Sequence, residues 1–453
     1  MLTNLIIISG VLLVVAVVAA TLLAFRREDR TRVALEEARA AGLDRPASLH
    51  PVIDNDACIG SGACLKACPE SVLGRAGGKT HLVHATDCIG HGRCQAACPV
   101  EAITLVFGTA ERGVDIPLLR AGYETNVDGI LIAGELGGMG LIRNAMTQGL
   151  KAVETIPRIL ERPGVAEPDE EVPDVCIVGG GPAGIAAALA CSEKKLRYVL
   201  LEQWSLGGSV THYPRRKLVF TERITLPIVG PFGKPEMLKE ELVAEFERIL
   251  LQADITLLEG RRVTGVSGRA GDFRIAVDTA EGPEEYRART VLLAIGRRGT
   301  PRRLEVPGAD LPHVVYRLLD PEQYRHRKVL CVGGGDSSVE AALSLSRVAG
   351  CEVHLSYRGE ALFRCRKKNR DAFAERVAEG KIRPHFGTNV ARIAPDQVVL
   401  RHDDGREETL AIDDVVVNIG GLLPTPFLES MGIAVETKFG EAAGPPPSAP
   451  GAA

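Results

Sequence analysis

The chain has 453 residues, 45% of them hydrophobic and 25% charged, with a formal net charge of −4. That length suits several domains, the composition is that of a globular chain, and the weak acidic balance excludes nucleic-acid binding driven by bulk charge. Aromatic residues are scarce at 4%, as in Ala/Val/Leu-rich α/β folds, and 49 glycines leave many for motifs that need glycine geometry.

Residues 4–25 read NLIIISGVLLVVAVVAATLLAF, without a single charge. About 20 such residues span a bilayer as a helix. A cleaved signal peptide would want a basic start and a shorter apolar core, yet the opening MLTN holds no Lys or Arg. Arg26, Arg27, Arg30 and Arg32 come after the apolar run instead, and the positive-inside rule then keeps the rest of the chain in the cytoplasm. The expectation is a transmembrane anchor over 1–27: a single-pass protein of the inner (cell) membrane, catalytic domains cytoplasmic, with a charged helix and linker over 28–51.

Eleven cysteines follow, six of them between Cys58 and Cys98. Tight clustering at short spacing argues for metal rather than disulfides. The other five (Cys176, Cys191, Cys331, Cys351, Cys365) sit in apolar strand or helix patterns and read as small buried hydrophobes. The six form a repeat, CIGSGACLKACPE from Cys58 and CIGHGRCQAACPV from Cys88. The full iron–sulfur run is C-x2-C-x2-C-x3-C-P, in which the fourth cysteine ligates the other cluster. Each half here keeps the first, third and fourth cysteines and the proline; Ser61 and His91 stand where the second would be. By that logic Cys58, Cys64 and Cys98 hold one cluster, and Cys88, Cys94 and Cys68 the other. The fourth iron position is either empty, giving a three-iron cluster, or taken by Ser61 and His91. A Cys3His zinc site on Cys68, Cys88, His91 and Cys94, or a relic without metal, is the alternative. Residues 52–107 resemble a bacterial two-cluster ferredoxin, which implies a small α+β iron–sulfur domain.

Two dinucleotide-binding patterns come next. VCIVGGGPAGIAAALACSEKKLRYVLLE starts at Val175: a strand, then Gly179, Gly181, Pro182, Ala183 and Gly184 opening a helix, then a strand ending in Glu202. The glycines permit a tight turn and bring a pyrophosphate onto a helix N-terminus, and the acid suits a ribose hydroxyl. KVLCVGGGDSSVEAALSLSRVAGCEVHLSYR starts at Lys328; Gly333 and Gly335 open the turn, Asp336 and Ser337 follow, and Ser338 replaces the third glycine. Its second strand ends at Tyr357 and Arg358, with Arg364, Arg366, Lys367 and Lys368 beyond. A basic end of this kind suits a 2′-phosphate, favouring NADPH over NADH; the same arginines could be solvated surface.

Between and after these loops, ARTVLLAIGRRGTPRRLEVPG (288–308) and IDDVVVNIGGLLPTPFLESMGI (412–433) resemble the two hinge strands of thioredoxin reductase-like flavoproteins. GGSVTHYPRRKLVF, which begins at Gly207 and includes Gly208, resembles the bacillithiol disulfide reductase-like branch. The resemblance covers 172–435 and implies two Rossmann-like domains binding FAD and NAD(P). Two features depart from it. PEQYRHRKVLC before the second loop has no C-x2-C pair, and Ala183 stands where the bacillithiol-type enzymes carry a cysteine. The family's closing segment, T-N-V-x-G-I-x-x-A-G-D and a helix, occurs early here as YETNVDGILIAGELGGMGLIRNAMTQGLKAV, with Gly134 and with Glu135 in place of the usual Asp. This implies a circular permutation.

The expected organisation is therefore an anchor (1–27), linker (28–51), ferredoxin-like domain (52–107), permuted segment of the FAD domain (108–165), FAD domain (166–300), NAD(P) domain (301–412), return segment (413–440) and disordered tail (441–453). The leading functional expectation is electron transfer between NAD(P)H, FAD and two iron–sulfur clusters, of 4Fe-4S or 3Fe-4S type, toward a ferredoxin-like or other redox partner. A thioredoxin- or small-thiol disulfide reductase and a redox sensor without turnover are the alternatives; a homodimer is left open.

Overall fold

Short apolar runs such as VCIV and KVLCV fold as parallel strands when helices cover both sheet faces. The computed structural model describes residues 2–442 apart from positions 41, 42, 45, 47, 48, 112, 139, 166–170, 221, 222, 298–300 and 364. It divides into two units, residues Met1–Val114 with Lys438–Ala453, and Asp115–Thr437.

The first unit begins with one helix, Leu2–Ala40. Its apolar half is exposed along its described length, from Val11 through Leu13 and Val18 to Phe25. Beyond it Glu28, Thr31, Ala34, Leu35 and Ala38 turn inward, a helical stripe at three- and four-residue spacing. The cysteine module follows. His50–Ile53 pairs antiparallel with Ile103–Phe107, and Leu73–Ala76 with Lys79–Leu82. Gly62 and Gly92 hold left-handed φ angles of 72° and 77° and start the helices Ala63–Ala67 and Arg93–Ala96. The core is Cys64, Val72, Leu73 and Ile103, with the remaining cysteines except Cys58 packed around it. Glu441 and Ala442 were expected in a disordered tail, but they add a third strand to this sheet, opposite Phe107 and Val106. Edge amides free to pair explain the difference, since Phe107 leaves a ladder position open that backbone alone can fill. The rest of the expected tail, 443–453, lies outside the described residues.

The second unit holds two parallel sheets. The first runs Leu257–Leu258, Tyr198–Leu201, Val175–Val178, Thr290–Leu293, Ile130–Ile132. Its last strand precedes the other four in sequence, yet pairs with Thr290–Leu293 in parallel register, Val291 opposite Ile130. The helix Ile142–Leu160 then crosses Pro182–Glu193. Gly149 makes this crossing close, because a Cβ there would collide with the Ala183 carbonyl oxygen. Met146, Ala152, Val153, Ile156 and Ile159 of that helix are fully buried. A bidentate ion pair from Arg162 to the buried Glu124, at 2.7 and 2.8 Å, closes the segment. The second sheet runs Val314–Val315, Asp414–Val417, Lys328–Val332, Glu352–Tyr357, Ile382–Phe386. Asp414–Val417 therefore belongs to the second nucleotide-binding half, and the return segment starts after it rather than at 413. A fully apolar VVV run is more stable inside a sheet covered on both faces than in an exposed hinge. Antiparallel meanders, Arg262–Ala288 and Thr388–Ala411, complete each half.

Candidate functional site

The first parallel sheet ends on a cavity of about 650 Å³. Gly134, Glu135, Gly179, Gly181, Pro182, Ala183, Glu202 and Gly208 all line it, as does Trp204. Each glycine has a separate reason. A Cβ on Gly179, whose φ is 115°, would come to 2.5 Å from the Ala294 carbonyl oxygen. One on Gly184 would collide with the Gly179 carbonyl oxygen, so this glycine lies behind the cavity and lets helix meet strand. Gly181 differs: the nearest atom to its Cβ would be Gly207 O, 3.9 Å away. Among the described residues nothing crowds that position, and Gly181 stands at the N-terminus of Pro182–Glu193, a helix end that suits an anion.

Glu202 is buried, and its carboxylate accepts the amide N–H of Gly180 at 2.7 Å and of Trp204 at 2.9 Å. Burial raises its pKa against the pull of these amides. Two residues escaped sequence reasoning. Gln148 accepts the Gly134 N–H at 2.8 Å and so fixes the turn before Glu135; nothing in TQG announces it. Arg317 lies over the Trp204 ring, 4.5 Å from its centroid.

The second glycine loop repeats the plan with changes. A Cβ on Gly333 (φ 131°) would meet the Asn418 carbonyl oxygen, while Gly335 faces open space. Asp336 starts the helix Asp336–Leu345. Its carboxylate accepts Asn369 Nδ2 at 2.7 Å and the Arg366 N–H at 3.0 Å, and so organises the basic loop. Ser337 is exposed and Ser338 wholly buried. Arg358 is exposed at the strand end, whereas Arg366 lines the flavin-sized cavity; Arg364 lies outside the described residues.

In the first unit, Cys68, Cys88, His91 and Cys94 line one small hollow with Val72 and Leu105. Burial pushes the Cys94 thiol up to about 12 and raises Cys88; a bound cation reverses that preference and makes thiolate the stable form. Cys58 and Cys64 both turn to Thr80: Cys64 Sγ lies 3.5 Å from Thr80 Oγ1, and the Thr80 backbone amide holds the Cys58 thiol below its ordinary range. Cys98 Sγ accepts the Ala102 N–H at 3.2 Å. Ser61 is exposed and accepts the Ala63 N–H at 3.5 Å. Among the described residues no three His, Cys, Asp or Glu side chains converge as the ligands of one ion would.

Residues 176–442 match the pyridine nucleotide-disulphide oxidoreductase family, and residues 50–99 match the 4Fe-4S dicluster domain. A ferredoxin–NADP reductase of Lactiplantibacillus plantarum is 34% identical over 54% of this chain and 72% of its own. The bacilliredoxin reductase Bdr of Bacillus subtilis is 27% identical over 58% and 82%. Among solved structures, bacillithiol disulfide reductase Bdr from Bacillus cereus superposes with a TM-score of 0.51 at 25% identity, covering 57% of this chain and 81% of its own. These likenesses agree with the two nucleotide-binding halves and the cysteine module: the cofactors are FAD, a pyridine nucleotide and iron–sulfur clusters. The chain belongs to the pyridine nucleotide-disulphide oxidoreductase family and is a flavoprotein oxidoreductase that carries its own 4Fe-4S dicluster domain.

Proposed function

We propose that the protein is a membrane-tethered, NADPH-dependent oxidoreductase passing electrons between nicotinamide, FAD, its two clusters and a further redox partner. One observation carries the choice of electron transfer over disulfide reduction: among the described residues no cysteine lines the flavin-sized cavity. Burial pushes the thiols of Cys176 and Cys191 up to about 12 and of Cys351 to about 11, and raises Cys331 and Cys365 as well. A thiolate is what attacks a disulfide, and burial disfavours that form at each of these five cysteines. When bound, FAD supplies the exchange between a two-electron hydride and single electrons, which suits cluster partners.

The residues take their roles accordingly. Gly179, Gly181, Pro182, Ala183 and Gly208 would cradle the FAD pyrophosphate, with Glu202 on the ribose and Gly134 and Glu135 at the flavin end. Gly333, Gly335, Asp336, Ser337 and Ser338 would receive the nucleotide, and Arg358 its 2′-phosphate. The cysteines would hold the clusters as paired above, with Ser61 and His91 at the open corners. Several relatives are named for ferredoxin and NADP, which supports both the nucleotide and a ferredoxin-like class of carrier. The strand Ile130–Ile132 beside Thr290–Leu293 supports a circular permutation in which 108–165 closes the FAD domain. By length and composition the helix over Gly10–Ala40 could cross a membrane, and the arginines after its apolar run support a cytoplasmic catalytic portion.

Steady-state assays decide between the readings. With NADPH, ferricyanide should be reduced and thioredoxin or small disulfides should not; the reverse pattern would establish a thiol reductase, and neither a sensor. Fractionation tests the tether: intact full-length protein in the soluble fraction would end it.

A further inference from the structure

Resting on the nucleotide reading above, we infer that Lys217 is a positioning residue for the pyridine nucleotide. It ties the wall of the flavin-sized cavity to the helix that receives the nucleotide, and it neutralises a carboxylate there that would repel phosphate.

The helix Asp336–Leu345 opens on an electrostatic conflict. Its N-terminus suits a phosphate, yet its first turns carry two acids, Asp336 and Glu340. Residues four apart share one helix face. Both acids reach the same amide: Asn369 Nδ2 donates to Asp336 Oδ1 at 2.7 Å and to Glu340 Oε1 at 3.2 Å. Like charges at this spacing oppose each other, and both oppose an incoming anion. The amide gives each carboxylate a hydrogen bond but cancels no charge. Cations must do that.

Two cations meet these acids, and each also belongs to the surroundings of the flavin-sized cavity. Arg366 lines the cavity. Its backbone N–H donates to Asp336 Oδ1 at 3.0 Å, and its Nε lies 3.6 Å from Asp336 Oδ2. Lys217 Nζ donates to Glu340 Oε2 at 2.8 Å. The same ammonium lies over the ring of Tyr213, 4.7 Å from its centroid, and Tyr213 is part of the cavity wall. Lys217 therefore stands between the wall of one site and the helix of the other.

The backbone holds Lys217 there. Its carbonyl accepts the Lys239 N–H at 2.9 Å, its own N–H donates to Pro214 O at 3.1 Å, and the Arg215 N–H donates to Leu319 O at 2.8 Å. The Lys217 and Glu340 side chains are 31% and 33% exposed, so water screens this pair less than one standing free on the surface. With Lys217 in place, each acid has its cation and the helix N-terminus keeps its pull on an anion. Without it, Glu340 is left as an unbalanced negative charge about 6 Å along the helix from Asp336.

The test is NADP⁺ binding to the full-length holoprotein by isothermal titration calorimetry, with FAD content measured on the same samples. Lys217→Met keeps an apolar stem over Tyr213 and drops the charge. It should keep its FAD, yet bind NADP⁺ at least about fivefold more weakly at low salt, with the gap narrowing as salt rises. Lys217→Arg should bind like the parent. Removing the orphaned acid should undo the loss, so Lys217→Met/Glu340→Gln should return to the parent's affinity. Parent-like NADP⁺ binding in Lys217→Met would overturn the inference. A loss that persists in the double variant, or that comes with loss of FAD, would overturn it too, since the lysine would then act other than through Glu340. A parent protein that keeps FAD but binds no NADP⁺ would instead overturn the nucleotide reading, and the inference with it.

Discussion

The two glycine loops of the second unit share one plan and differ where the helix begins and where the following strand ends. In the first, Gly184 presses helix onto strand; in the second, Ser338 fills the same place, fully buried, its hydroxyl without a hydrogen-bond partner among the described residues. The first strand–turn–strand unit ends in Glu202, whose carboxylate binds the Gly180 amide. The second ends in Tyr357, whose ring covers Gly334 so closely that a Cβ there would overlap it. A carboxylate at this point accepts ribose hydroxyls, whereas an aromatic ring followed by Arg358 leaves room and charge for a phosphate. On the proposed reading, the residue that closes each turn is what suits it to its own ligand.

The largest expected effect separates the third positions. Gly184→Ala forces a methyl into the Gly179 carbonyl oxygen, an overpacking that should cost about 3 kcal/mol or more and lower the melting temperature by roughly 6–12 °C. Ser338→Gly should be nearly silent by comparison. Equal melting temperatures for Gly184→Ala and the parent would break the comparison at its root.

Next comes Gly181→Ala. Its Cβ meets nothing within 3.9 Å, so the apoprotein should melt like the parent, yet purify without its yellow flavin. Stoichiometric FAD in that variant would remove Gly181 from the cradle.

Both expectations rest on features legible in the sequence. Glycine spacing, the acid at 202 and the doubled cysteine runs are local patterns that a few residues specify, and the strand over Ile130–Ile132 was recognisable from YETNVDGILIAGE. What escaped reading depends on distant partners. Gln148 holds Gly134 only because two segments meet. Glu441 and Ala442 find Phe107 and Val106 more than 300 positions away. Asp414–Val417 looked like a hinge because its neighbours in the sheet, Val314–Val315 and Lys328–Val332, lie far off in sequence. The second loop was read for its glycines, while the ring of Tyr357 over Gly334 follows from packing alone.

A smaller effect should come from Arg358→Ala. Losing a charge-assisted contact worth about 1.5–3 kcal/mol should weaken NADPH about 10- to 100-fold and leave NADH almost unchanged. Equal losses for both nucleotides would show that Arg358 does not read the phosphate.

The mildest prediction separates the halves by pH. In the nucleotide half, His354 Nδ1 lies 2.9 Å from His385 Nε2, with Glu352 and Glu408 at the two ends. Burial holds both imidazoles below their ordinary range. Unfolded histidine takes its proton near about pH 6.5, so the unfolded chain binds protons first as pH falls. Stability of this half should therefore be full above about pH 6.5 and decline below it, toward the lowered folded values. Thermal melts followed across that range should show the decline, and His385→Gln should flatten it. A pH-independent melt in the parent protein would contradict the sign.

The central claim, that electrons from NADPH reach the clusters one at a time through this chain's own flavin, is tested most directly by anaerobic titration of the purified full-length protein with NADPH, followed by electron paramagnetic resonance and iron analysis. The account predicts iron for two clusters, flavin bleaching, and low-temperature signals of reduced clusters at substoichiometric NADPH. Flavin bleaching with silent clusters, or protein that binds FAD but no iron, would contradict it.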